Sequence, residues 1–106
     1  MAIVTFYNGD PKDAPKTTMP AHLGANAIIT CKNRLLLEKR SDSDVWGLVG
    51  GGCKKWETGR QAIVREVYEE LGLRIAPERF RKLAVYDNPG RIAAFRDGSI
   101  WRMVIV

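Results

Sequence analysis

An α+β domain, a mixed sheet with helices packed on it, is the fold class the sequence predicts. Three observations point there. Short apolar runs with strand character lie on both sides of one strongly marked helix. That helix carries its own start and stop signals. The chain has 106 residues, enough for one small domain, residues 1–106, and no more.

The first strand is expected at Ile3 to Tyr7. Asn8 to Pro20 holds three prolines with Gly9, Asp10 and Asp13, so it reads as a loop and makes residues 1–20 an N-terminal arm. Ala25 to Thr30 and Arg34 to Lys39 are expected strands, joined through Cys31-Lys32-Asn33 into a hairpin. Arg40 to Asp44 is polar and loop-like, and Trp46 to Val49 is a brief apolar run. Gly50-Gly51-Gly52 follows, where missing side chains let a ligand approach the main chain. Thr58 is a good N-cap, Gln61 completes a capping box, and Gly72 is a good stop. Phe80 to Asp87 reads as a strand, Asn88-Pro89-Gly90 as a turn, and Ile100 to Val106 as a last strand.

Composition narrows the function classes. Hydrophobic residues make up 45% and charged residues 27%, ordinary for a globular domain. No run of about 18 apolar residues exists, so no transmembrane helix is expected. The N-terminus lacks the basic start and apolar stretch of a signal peptide, and a cytoplasmic setting is expected. Cys31 and Cys53 form no CxxC pair and read as buried or half-buried free thiols. His22, the single histidine, has too few partners for a zinc site. The net charge of +5 is spread along the chain, which suits a small phosphate-bearing ligand better than nucleic acid.

The helix carries the chemistry. At about 100° per residue, Glu66, Glu69 and Glu70 share one face. Ile63, Val64, Val67 and Leu71 form the neighbouring face, with Gln61 and Tyr68 turned away from the carboxylates. An acidic face bordering an apolar one places the glutamates at the seam where the helix packs. Like charges at these spacings repel by about 0.2–0.5 kcal/mol per pair, and a hard divalent cation would reverse that cost.

Gly51, five residues, Glu57, seven residues, then Arg65-Glu66-Val67-Tyr68-Glu69-Glu70-Leu71-Gly72-Leu73 matches the Nudix box at every fixed position. Trp46-Gly47-Leu48-Val49-Gly50-Gly51 resembles the family's lead-in. The chain is therefore identified as resembling the Nudix hydrolases. The resemblance implies an α/β/α sandwich around a mixed sheet. It implies Mg²⁺, with Mn²⁺ as a substitute, bound by Glu66, Glu69 and Glu70 together with a carbonyl of Gly50 or Gly51. Glu57 would join the acidic cluster and Arg65 would orient a glutamate. The implied reaction is cleavage of a pyrophosphate linkage in a nucleoside-diphosphate derivative, such as a nucleoside triphosphate, ADP-ribose or nucleotide sugar.

Two departures mark this sequence. Val49 replaces a common proline, and Trp56 stands where glycine is common, offering either packing or a stacking surface to a base. Lys54 and Lys55 on the same loop are candidate phosphate contacts. Tyr86, Phe95 and Trp101 read first as core, with stacking on a base as the alternative. Nudix domains generally run longer, so the last strands and a second helix are expected to be missing. Ile100 to Val106 would then be an unpaired apolar edge, covered by a second copy in a homodimer or left open. The rival functional reading is a truncated or non-catalytic nucleotide-binding module.

Overall fold

In the computed structural model, which describes residues 3–41 and 44–106, five strands form one mixed sheet. Its longest strands are β1 (Ile3–Asn8), β2 (His22–Ala27) and a last strand at Ile100–Ile105. The first and last are rich in the β-branched and aromatic residues that suit a half-buried pleat. β2 is rich in small residues, and Ala25 and Ala27 are buried. Two short ribbons follow: β3 (Thr30–Cys31) pairs with β4 (Arg34–Leu35), and β5 (Glu38–Lys39) pairs with β6 (Trp46–Gly47). Next come β7 (Val49–Gly52), the helix α1 (Gly59–Leu71), β8 (Arg91–Phe95) and β9 (Ile100–Ile105).

The sheet order is β1-β8-β9-β2-β7. β2 and β9 run parallel, with His22 opposite Met103 and Gly24 opposite Ile105. The other three pairings are antiparallel. α1 packs on β7 and β2, and its Ala62, Ile63 and Val67 join Ala25, Ala27 and Val49 in the core. Ile92, Ala93 and Met103 are buried farther along the sheet.

The α+β class and mixed sheet agree with the sequence reading. Among the described residues α1 is the one α-helix, so one face of the sheet carries a helical layer. Several elements differ from expectation. β9 is no edge: it lies between β8 and β2, bonded on both sides, which removes the reason to expect a homodimer there. Phe80 to Asp87 forms no strand beyond a single bridge of Tyr86 to Ile105, because β8 takes β9 from Ile100 to Arg102; residues 81–87, which follow a 3-10 turn at Pro77–Arg79, stay exposed. The expected hairpin keeps its turn at Lys32-Asn33, both at positive φ, but pairs only two residues per side. β2 spends its hydrogen bonds on β7 and β9 instead. The three glycines lie within β7. Asp42 and Ser43 of the expected Arg40 to Asp44 loop lie outside the described residues. Cys53 is half-buried, but Cys31, in the two-residue β3, is exposed.

Candidate active site

α1 is fixed at both ends before any tertiary contact is counted. Thr58 Oγ1 accepts from the Gln61 amide at 3.1 Å, and the Thr58 amide donates to Gln61 Oε1 at 2.9 Å. At the other end Gly72 takes the left-handed conformation, φ 71° and ψ 11°, and donates to the Tyr68 carbonyl. Buried Ala62, Ile63 and Val67 set the rotation of the helix, while Gln61 and Tyr68 are exposed. That rotation brings Arg65 and Glu66 to the border with β7.

Arg65 organises the border. Its Nε and Nη2 donate to the two oxygens of Glu57 at 2.7 and 2.8 Å, a planar fork on a carboxylate. Nη1 donates to Glu66 at 3.0 Å and to Glu69 at 3.2 Å. Nη2 also donates to the Gly52 carbonyl at 3.0 Å, tying the helix to β7. The Glu57 side chain is only 8% exposed, so this pairing is sheltered from solvent. Hydrogen bonds from Arg65 and from the Lys54 amide hold Glu57 well below the usual carboxylate range, at about 2.

Glu66 lies against Gly51 so closely that a Cβ there would sit 2.5 Å from Glu66 Oε1. Any larger residue at 51 would expel the carboxylate. Glu70 belongs to a second group. Burial comes first, then hydrogen bonding to Glu38 and the charges of Glu38 and Glu66, and together these push its pKa up to about 7. The Gly50 main chain hydrogen-bonds the same carboxylate and opposes the rise. Glu38, on β5, is the site residue the sequence reading missed. Its one signal is an acidic residue closing the apolar run Leu35-Leu36-Leu37.

The donor set suits a hard divalent cation. Carboxylates are crowded enough to raise a pKa, and main chain is open beside them. Among the described residues no three carboxylate, thiol or imidazole groups are placed to hold a metal ion together; Glu57, Glu66 and Glu69 are turned onto the Arg65 guanidinium instead.

Comparison with known proteins decides the family. Residues 20–105 match the model of the NUDIX domain. The chain belongs to the Nudix family. It is 31% identical to a MutT-like protein of Streptomyces ambofaciens over 86 residues, 81% of this chain and 54% of that one. It is 35% identical to an ADP-ribose pyrophosphatase of Methanocaldococcus jannaschii, across 76% of this chain and 49% of that one. The chain thus spans about half the length of these curated relatives. A MutT/nudix family protein of Enterococcus faecalis shares the fold, with a TM-score of 0.62 and 22% identity over 89% of this chain and 39% of that one.

The Nudix box is brought together unevenly. Glu57, Arg65, Glu66 and Glu69 form one bonded network, and Glu70 joins Glu38. Lys54, Lys55 and Trp56 lie on the loop before α1, exposed, with Trp56 78% exposed and so not packed. A cavity of about 700 Å³ is lined by His22, Asn26, Phe95, Trp101, Met103 and the glycines of β7. Side chains alternate along a strand, so His22 and Asn26 lie on the face opposite Ala25 and Ala27, away from α1. β7 is an edge strand, and its glycines leave only bare backbone between cavity and glutamates. Trp101 stands edge-on to His22 at 5.9 Å, so Phe95 and Trp101 are cavity walls. Tyr86, expected in the core, is 59% exposed.

Proposed function

We propose that this domain is a Mg²⁺-dependent pyrophosphohydrolase acting on a nucleoside diphosphate linked to another moiety, in the cytoplasm. One observation carries the reading: the Arg65-centred carboxylate network is bonded to the same glycine strand that walls a nucleotide-sized cavity. Glu66, Glu69 and Glu70, with a carbonyl of Gly50 or Gly51, would hold the cation. When bound, that cation neutralises phosphate charge and lowers the pKa of a coordinated water. The chain's own residues supply the rest. Arg65 fixes the positions of Glu57, Glu66 and Glu69 before substrate arrives. The cavity takes the nucleoside, with Phe95 and Trp101 as apolar walls and Asn26 as a polar partner. The phosphates cross the bare edge of β7 toward the glutamates, within reach of Lys54 and Lys55.

Product analysis tests this. Nucleoside triphosphates, ADP-ribose, nucleotide sugars and dinucleoside polyphosphates are incubated with the protein, with and without Mg²⁺. Metal-dependent release of a nucleoside monophosphate from one class is expected, and Glu69→Gln or Glu70→Gln should reduce it about 100-fold or more, the scale set by losing one transition-state stabiliser. A folded protein that binds these compounds and turns over none of them is a non-catalytic nucleotide-binding module instead.

A further inference from the structure

Trp56 has no packing role. It is 78% exposed and stands outside the core cluster, an unusual place for the largest apolar side chain. Yet its backbone is rigidly set. The Glu57 amide donates to the Lys54 carbonyl at 2.9 Å, and the Lys54 amide donates to Glu57 Oε1 at 2.7 Å. These two bonds close a four-residue turn with Lys55 and Trp56 at its tip. Both oxygens of Glu57 are also held by Arg65, so the turn is anchored to the carboxylate network itself. The Lys54 ammonium lies 5.8 Å from the centre of the indole, within cation–π range. The result is an aromatic platform presented to solvent on a fixed stem, which loses little conformational freedom when a ring stacks on it.

Its location gives it a partner. From Gly52, in the cavity wall, to Trp56 is four residues, at most about 14 Å of extended chain. Two aromatic surfaces therefore adjoin the carboxylate network: Phe95 with Trp101 in the cavity whose Gly51 lies against Glu66, and Trp56 beside Glu57 outside it. A mononucleoside substrate fills one of them. We infer that Trp56 and Lys54 receive a second nucleobase beyond the scissile linkage, so that the preferred substrate class is a dinucleoside polyphosphate. Lys54 and Lys55 add positive charge where a longer phosphate bridge would pass. The inference rests on the pyrophosphohydrolase reading and names the substrate of that site.

Binding without turnover tests it. Dissociation constants are measured calorimetrically, with Mg²⁺, for three non-hydrolysable methylene-bridged probes: a dinucleoside tetraphosphate, a nucleoside triphosphate and a nucleotide sugar. The dinucleoside probe is expected to bind about tenfold or more tightly than either other probe, the scale of one base–aromatic stack. In Trp56→Ala that ratio should fall to near one, and in Trp56→Phe most of it should return. Circular dichroism confirms that each variant is folded. Equal affinities in the parent, an equal gain for the nucleotide sugar, or a ratio that survives Trp56→Ala each overturn the assignment. If the triphosphate binds and the second base adds nothing, only the role of Trp56 fails. If no probe binds, the pyrophosphohydrolase reading fails with it.

Discussion

At the β7–β2 end of the sheet a capped helix lies on small residues, and charged groups are tied by an arginine fork. At the β1–β8 end no helix among the described residues covers the strands, and Ile3 and Phe6 are each 48% exposed. There Arg91 stacks its guanidinium over Phe6 and Tyr86, at 5.2 and 5.7 Å from the ring centres. Arg102 reaches across to the Asp87 carbonyl. The first end is stabilised by burial and by bonds between near neighbours. The second is stabilised by pairing between distant segments, with long cationic side chains covering apolar surface. A rigid, sheltered end suits a site whose charges must be held in place.

The contrast can be broken most directly in the core. Ile63→Ala and Ile92→Ala should each cost about 2–5 kcal/mol, read from urea unfolding, because both residues are at most 5% exposed. A loss below about 1 kcal/mol for Ile92→Ala would show that the two ends do not unfold as one unit. Next in size is Arg65→Ala. Releasing Glu57, Glu66, Glu69 and the Gly52 carbonyl at once should lower kcat at saturating Mg²⁺ by about 100-fold, the scale of a 1 Å misplacement. Arg65→Lys should not restore it, since an ammonium cannot make the fork. Full activity in either variant would remove Arg65 from its positioning role. Thr58→Ala should cost about 0.5–2 kcal/mol through loss of the capping box, and an unchanged melting temperature would contradict that.

The smallest effect is a pH dependence. Burial lowers the pKa of His22 from its usual 6.5, so below that value the unfolded chain binds the proton more readily than the folded one. Stability from this group is complete above about pH 6.5 and is lost as pH falls through the window beneath it. Glu70 acts in the opposite sense: raised from 4.5 to about 7, it stabilises the folded chain below the lower value and ceases to as pH rises through the upper. The measurement is therefore the difference in Tm between parent and His22→Gln from pH 5 to 8. The parent should lose more on acidification, and parallel curves would contradict the assignment.

What could be read from residues alone follows the same division. α1 was legible to its last residue because Thr58, Gln61 and Gly72 specify its ends locally and its apolar residues repeat with the helical period. The spacing of Arg65 and its glutamates was legible for the same reason. Glu38 was not, because its place beside Glu70 joins the β5–β6 ribbon to a helix residue far along the chain, which no pattern in the sequence announces. β8, too, was unread. Arg-Ile-Ala-Ala-Phe has little strand signature, and it becomes a strand because β1 and β9 offer it partners on both sides. Phe80 to Asp87 shows the converse, strand-like residues left with one bridge because β8 takes β9 from Ile100 to Arg102 and only Ile105 beyond it pairs with Tyr86.

The parallel pairing of β2 with β9 also bears on how the molecule is made. The Asn26 amide donates to the Val106 carbonyl, and the Val106 amide donates back to the Gly24 carbonyl, so the middle of the sheet is closed by contacts spanning some 80 residues of sequence. A ribosome releases the helix and its glutamates long before it releases the strand that completes their support. Until that strand arrives, β2 and β8 each expose an open side, the hazard of a nascent chain whose structure depends on distant contacts. Early in synthesis the helix has its caps and its sequence in place, but a finished sheet to lie on comes only once Ile100–Ile105 has emerged.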